Sequence, residues 1–134
     1  MIDHHSALIY TMVLVSAADR EMTDAELGMI GDIVQHLPIF RGYDAESLPR
    51  TASVCVDLLS GENGLEHTLQ VIRDALPERL RETAYALACD VAAADGEATQ
   101  EELRVLELLR YWLSMERLVA AAIERGARAR FARD

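Results

Sequence analysis

Apolar residues recur at three- and four-residue intervals along most of this chain. In residues 3–18, Leu8, Met12 and Val15 share one helical face, and later segments show the same period. No segment shows the sustained alternation of apolar and polar residues that is typical of strands. The pattern predicts an all-α fold, a single compact helical domain of about seven helices. The predicted helices span residues 3–18, 23–37, 48–60, 65–76, 77–94, 100–113 and 115–125.

Proline and capping residues set the predicted helix boundaries. Pro38 ends the second helix, and Ser47 is expected to cap the third. Pro77 is predicted to be the first residue of the fifth helix. Because the fifth helix carries small residues such as Ala84 and Ala88 on its apolar stripe, close helix approach is possible, and we expect it to lie centrally.

The end of the sequence differs in composition from the rest. Ser114 is expected to cap the seventh helix and Gly126 to end it. Residues 1–125 are therefore predicted to form the helical domain, and residues 126–134 an arginine-rich mobile tail. Such a tail can solubilise the protein, or it can dock on an acidic surface of the same chain or of a partner. Its basic residues are Arg128, Arg130 and Arg133.

One stretch of the sequence occurs twice, at residues 16–30 and 92–106, and seven of the fifteen aligned positions are identical. Each copy ends an alanine-rich apolar run, passes an acidic loop and begins a new apolar run. This order predicts two equivalent helix–acidic turn–helix hairpins. Two copies are too few for a solenoid, so we expect pseudo-symmetric hairpins within one domain. The identical pairs are Ala17/Ala93, Ala18/Ala94, Asp19/Asp95, Glu21/Glu97, Thr23/Thr99, Glu26/Glu102 and Leu27/Leu103.

The repeated turn is rich in carboxylates, which are the ligands of hard cations such as Ca²⁺, Mg²⁺ and Mn²⁺. If a pseudo-two-fold axis relates the hairpins, the two turns lie side by side and their carboxylates converge. Like charges at close range need a cation to coexist, so a shared divalent metal site is one hypothesis. Its candidate ligands are Asp19, Glu21, Glu26, Asp95, Glu97, Glu102 and, one turn before Asp95, Asp90.

Helix capping is the competing explanation of the same residues. The threonine and the second glutamate of each turn have the spacing of a capping box, which needs no ligand. Asp19 and Asp95 are harder to explain in this way, since a carboxylate at the end of a helix opposes the helix dipole. The turns are not EF-hands, because the twelfth residue counted from either aspartate is Ile30 or Leu106 rather than glutamate.

Composition narrows the classes of function. The net charge of −10 disfavours nucleic-acid and anionic-membrane binding, and it permits cations or basic partners. All 13 basic residues are arginines, so lysine chemistry is excluded. No apolar run is long enough for direct membrane insertion and no basic signal region is present, which predicts a cytoplasmic protein. Cys55 and Cys89 lie in apolar runs and are expected to be buried thiols.

Signatures of common enzymes are missing, including phosphate loops, nucleophile elbows and zinc-protease motifs. The adjacent His4 and His5 do not face one another on a helix and are expected to be solvated, as is His67. His36 has no evident nucleophile beside it in the sequence. The protein is therefore predicted to be non-enzymatic, with no organic cofactor. A metal-dependent hydrolase is the enzyme alternative, although the chain lacks the usual accompanying groups.

At the acidic turns the chain resembles the TerB family, the helical domain of tellurite-resistance proteins that also occurs in membrane-anchored DnaJ-type co-chaperones. Residues 92–103 are close to the family pattern, in which Ala-Asp-Gly is followed by an apolar residue, a threonine or serine and then a glutamate. Residues 17–27 match more loosely, since Arg20 replaces the glycine that is present as Gly96. The resemblance covers nearly the whole chain in length and helix order.

The resemblance implies an all-helical fold and an acidic surface that binds divalent metal. It also implies a role in the stress response to tellurite, with protein partners in a membrane-associated complex. The alternative to this metal-responsive interaction module is a metal-free helical protein-interaction domain. We expect such a domain to expose an apolar groove that involves Phe40, Tyr43 and the loop at 38–47. The implied metal ligands are Asp19, Glu26, Asp95 and Glu102, with Glu21 and Glu97 at positions that the family pattern leaves open.

Overall fold

The computed structural model describes residues 1–134 and confirms the all-α prediction, with seven α-helices and no strands. Short 3-10 turns lie before α3 and before α5. None of the helices combines the length and the apolar character that a membrane crossing needs. The helices are α1 (His4–Ser16), α2 (Asp24–His36), α3 (Leu48–Leu59), α4 (Gly64–Ala75), α5 (Arg81–Ala93), α6 (Gln100–Trp112) and α7 (Arg117–Arg130).

Helices α1 and α5 form the centre of the core. Every residue of α1 from Ala7 to Ser16 is buried, so this helix has no solvent face over most of its length. The apolar stripe of α5 includes Ala84, Ala88 and Ala92, and these small side chains let α5 pack closely on α1. The prediction that α5 lies centrally is confirmed, and α1 is equally enclosed.

The two hairpins of the repeat pack across one another. The first hairpin consists of α1 and α2, and the second of α5 and α6. Helix α2 packs on α5, and α6 packs on α1, so each hairpin covers the central helix of the other. Helices α3 and α4 pack on α1, and α7 packs on α5. This arrangement brings the starts of α2 and α6 to the same end of the central helix pair.

The predicted start of the fifth helix at Pro77 is wrong. Pro77 has an extended backbone with ψ of 146° and precedes a short 3-10 turn at Glu78–Leu80. Leu80 then has φ of −103° and ψ of 2°, which interrupts the helical path, and α5 begins at Arg81. A proline fits the first turn of a helix, but the same φ also fits an extended residue, so its presence alone does not fix the boundary.

Both predicted boundaries of the seventh helix are also wrong. Ser114 has a left-handed backbone with φ of 54°, and the cap is instead Glu116, whose carboxylate accepts two backbone N–H groups of α7. The helix continues through Gly126 to Arg130. It does so because Ala127, one residue later, is buried against the core, and this contact favours continuation of the helix.

The segment 38–47 encloses aromatic side chains rather than exposing them. His5 contacts the carbonyl oxygen of Ile39 through Nε2 at 2.8 Å, and its ring stacks on Phe40 with a centroid distance of 5.4 Å. The expectation of a solvated His5 is therefore wrong. Phe40 is buried and Tyr43 is half-buried, so the apolar groove expected at this loop is not formed. Cys55 and Cys89 are buried free thiols, as predicted.

The close approach of α4 to α3 yields a test of the fold. A Cβ atom at Gly64 would lie 2.1 Å from the carbonyl oxygen of Leu59, whereas one at Gly28 would meet nothing within 4 Å. We expect Gly64→Ala to lower the free energy of unfolding by about 1–3 kcal/mol through overpacking. Gly28→Ala, on an exposed helical position, should raise it by about 0.5–1 kcal/mol. Urea unfolding followed by circular dichroism measures both, and equal effects would contradict the packing of α3 on α4.

Candidate functional site

Two capping boxes build the candidate site. The Oγ1 atoms of Thr23 and Thr99 accept the backbone N–H groups of Glu26 and Glu102, each at 3.1 Å. In return, Oε1 of each glutamate accepts the backbone N–H of its threonine, at 3.3 Å in the first turn and 2.9 Å in the second. The capping prediction is therefore confirmed in both copies. These bonds fold each glutamate side chain back over the start of its helix.

Glu26 and Glu102 are buried, each with 1% of its surface exposed. Carboxylic acids are rarely buried to this extent without a compensating interaction. Burial raises the pKa of Glu102 to about 8, and a side-chain hydrogen bond with Glu26 and the negative charge of Asp19 act in the same direction. The equivalent glutamates of the repeat therefore form one buried carboxyl pair, and the raised pKa of Glu102 favours its protonated form at neutral pH.

Ser16 completes the first half of the pair and was not identified from the sequence. Its hydroxyl donates to Oε1 of Glu26 at 3.1 Å. The equivalent residue of the second copy is Ala92, so only one of the two carboxyls receives a hydroxyl donor. The difference between Ser16 and Ala92 within the repeat could have identified Ser16 from the sequence, because a polar residue in an otherwise apolar buried helix needs a hydrogen-bond partner.

The first acidic turn, residues 19–22, holds its aspartate by a local bond. Oδ1 of Asp19 accepts the backbone N–H of Glu21 at 2.9 Å, which explains a carboxylate at the end of a helix without any ligand. Arg20 has φ of 65° and occupies the same repeat position as Gly96, where φ is 109°. Arg20 makes no ion pair with Asp19. Glu21 is exposed.

The second acidic turn, residues 95–98, has a different environment. Asp95 and Glu97 are exposed and lie beside the last part of the chain, where Arg128 and Arg133 border the same cleft. Asp90, the seventh candidate ligand, forms an ion pair with Arg130. The structure therefore brings Glu26 and Glu102 together with Asp19 nearby, and it separates the other candidate ligands from them. The separated candidates are Glu21, Asp90, Asp95 and Glu97.

The donor set fits a divalent metal in part. No group of three or more histidine, cysteine, aspartate or glutamate side chains converges closely enough to hold an ion. The pair offers two carboxyls and the hydroxyl of Ser16, all hard oxygen donors of the kind that Mg²⁺, Mn²⁺ and Ca²⁺ prefer. With only two carboxylates, water has to supply further ligands, as is common for Mg²⁺.

A groove between α6 and α7 is a second surface feature that the sequence did not predict. It has a volume of about 630 Å³, and Cys89, Ala92 and Ala93 of α5 are among its lining residues. Leu103 of α6 lies on its wall with 47% of its surface exposed. At one end, Arg110 donates to Glu124 at 3.0 Å, next to the buried Tyr85.

The sequence model of the family described as tellurite resistance protein TerB matches residues 5–124. The chain belongs to the TerB family. The matched TerB region contains both acidic turns, the carboxyl pair and most of the helical core, and it ends within α7. No curated protein and no solved structure matches the chain. The resemblance drawn from the repeated turn is therefore confirmed.

The raised pKa of Glu102 predicts how the stability of the TerB domain depends on pH. A carboxyl group with a raised folded-state pKa contributes stability that is fully present below its ordinary value of 4.5 and is lost as the pH approaches about 8. We expect the free energy of unfolding to fall as the pH rises across this window, because the folded protein keeps a proton that the unfolded chain has lost. Each pKa unit between the folded and the unfolded state corresponds to about 1.4 kcal/mol.

Glu102→Gln isolates this contribution. The amide keeps an oxygen acceptor for Thr99 and can donate to Glu26, so the variant resembles the protonated pair. It should match the wild type near pH 5 and be more stable than the wild type near pH 8. Glu101→Gln, an exposed neighbour on α6, is the control and should follow the wild-type profile. Urea unfolding across this pH range measures all three, and parallel profiles would contradict a shared proton.

Proposed function

We propose that this TerB domain is a non-enzymatic tellurite-resistance and stress-response module that exchanges the proton of the Glu26–Glu102 pair for a divalent cation. The observation that supports this proposal is the meeting of two buried carboxyls from equivalent positions of the repeat. Like charges in a buried site need a proton or a cation as a counter-charge. The carboxyl pair is therefore expected to bind either a proton or a cation.

The proposed ligands follow from the geometry of the pair. Glu26 and Glu102 supply two carboxylates, and the Ser16 hydroxyl is already within hydrogen-bond distance of the first. The negative charge of Asp19 acts on Glu102, and its turn is partly exposed, so Asp19 is the candidate for a third carboxylate. Oxygen donors of this kind favour Mg²⁺, Mn²⁺ or Ca²⁺ over thiophilic metals. No organic cofactor is part of the proposal.

We further propose that the domain acts through protein partners, including partners in a membrane-associated complex. The net charge of −10 and the exposed carboxylates Glu21, Asp95 and Glu97 favour basic surfaces on those partners. A hydrolase is not proposed, because the chain has no lysine to assist a metal-bound nucleophile at the pair.

The second candidate function is a metal-free protein-interaction domain. The groove between α6 and α7 favours it, since an exposed Leu103 beside small buried side chains is a surface typical of apolar contacts. This candidate makes the carboxyl pair a purely structural, protonated element. The two functions differ in whether any cation stabilises the folded protein.

Thermal unfolding of chelator-treated protein with and without Mg²⁺, Mn²⁺, Ca²⁺ and Zn²⁺ tests the cation proposal. A ligand that binds only the folded state adds about 2.7 kcal/mol at one hundred times its dissociation constant. We expect at least one of the first three cations to raise the midpoint. The cation affinity should weaken about tenfold per pH unit below the raised pKa of Glu102, because cation binding displaces a proton.

Glu102→Gln should abolish this rise in the midpoint, whereas the exposed control Glu101→Gln should retain it. If no cation raises the midpoint of the wild type at pH 8, cation binding at the pair is wrong and the metal-free interaction domain takes its place. A rise that persists in Glu102→Gln would place cation binding elsewhere on the acidic surface.

The two aspartates of the repeat should differ in their effect on cation affinity. Asp19→Asn should weaken affinity several-fold, because the Asp19 charge acts on Glu102. Asp95→Asn should leave affinity unchanged, since Asp95 is exposed and borders the arginine residues of the other cleft. Isothermal titration with the cation that raises the midpoint measures both variants. Equal losses would show that both turns contribute to one site.

A further inference from the structure

The arginine-rich segment at residues 128–133 lies against the second acidic turn. Arg130 forms an ion pair with Asp90, whose side chain is only 19% exposed. Nη2 of Arg133 donates to the carbonyl oxygen of Ala94 at 3.3 Å. The Arg133 guanidinium also lies over Gly96, where an added Cβ would be 3.5 Å from it. Two side chains thus anchor this segment at three successive points along the end of α5 and its turn.

The chemistry of the contact is that of a cation at a helix end. Ala94 is the C-cap of α5, so its carbonyl is among those with no partner further along the helix. The negative end of the helix dipole and the carboxylates Asp95 and Glu97 border the same cleft. A guanidinium can satisfy the carbonyl and the negative charge at once because it carries several N–H donors.

Gly96 distinguishes the second acidic turn from the first, which has a different residue at the equivalent position. The absence of a side chain at Gly96 leaves the space over which the Arg133 guanidinium lies. The equivalent residue of the first turn is Arg20, which is itself an arginine and exposed. No arginine from elsewhere in the chain pairs with Asp19 or Glu21 in the first turn. The carboxylates within both turns form no ion pair, so the turns differ in the arginine segment, which lies over Gly96 and pairs with Asp90 only at the second turn.

We infer that the second acidic turn, together with Asp90, is a binding site for arginine-rich peptide segments, and that residues 128–133 are its intramolecular occupant. An arginine-rich segment of a partner protein binds the turn by displacing the chain's own arginines. The segment lies beyond the residues that match the TerB family, which end at 124. This inference does not depend on cation binding at the buried pair, because it rests on different residues.

The occupant is held in a way that allows displacement. The arginine of the Arg130–Asp90 ion pair is exposed, with 56% of its side chain accessible, so solvent screens the pair and weakens it. The apolar anchors of α7, Ala120 and Ala127, precede the arginines that make the contact. Only the last residues of α7 and those after it have to move for the turn to become free.

Amide chemical shifts of the full chain test the intramolecular contact. Arg133→Gln and Arg130→Gln should each shift the amide signals of Asp95, Gly96 and Glu97. Arg125→Gln removes the same charge from an exposed position on α7 that forms no ion pair, and it should leave those signals unchanged. If Arg133→Gln shifts the turn no more than the control does, the contact and the inference are wrong.

Displacement is tested with a peptide that has the sequence of residues 126–133 and blocked ends. We expect it to bind the Arg130→Gln/Arg133→Gln double variant about fivefold more tightly than the wild type, the scale of an exposed ion pair. Binding should perturb the amide of Gly96, weaken in high salt and be lost when Asp90→Asn and Asp95→Asn are added to the double variant. Equal affinity for the wild type and the double variant would contradict competition. Affinity that survives both aspartate substitutions would place the peptide site elsewhere.

Discussion

The close packing of α1 on α5 is the constraint on which the candidate site depends. Alanines on α5 let the central helices approach, and the hairpins then cross so that α2 and α6 start at the same end of the pair. Each of these helices begins with a capping box that folds a glutamate inward. The buried carboxyl pair is therefore a consequence of helix packing and helix capping together. Neither factor alone would place two carboxyls in contact inside the core.

The sequence predicted the parts of the structure that depend on local chemistry. Helical periodicity and the two capping boxes follow from spacings of three and four residues, the equivalence of the turns follows from the repeated stretch, and all are present. The burial of Glu26 and Glu102 was not predictable in this way, since a capping glutamate is ordinarily at the surface. The burial of these glutamates depends on the packing of α2 and α6, two helices that are far apart in the sequence. The Asp90–Arg130 ion pair, between residues forty positions apart, is likewise invisible to local patterns.

The errors at the helix ends have the same cause. Pro77 and Gly126 carry backbone preferences that are compatible with a boundary but do not require one. At Gly126 the buried Ala127 favours continuation of α7, and the extra turn places Arg130 beside Asp90. A boundary error of a few residues thus concealed the contact that distinguishes the second acidic turn. The repeat encodes two similar turns, and the rest of the chain makes them unequal.

Capping by itself does not explain why both members of the pair are acids. A glutamine at either position could accept the threonine N–H through its amide oxygen and complete the capping box. It would also avoid a buried ionisable group, whose raised pKa costs stability at neutral and higher pH. At neutral and higher pH we therefore expect two glutamates to be less favourable for stability than a glutamate and a glutamine. Only a carboxylic acid can lose its proton and bind a cation in its place. This contrast with glutamine is the physical argument for the proposed binding role of Glu26 and Glu102.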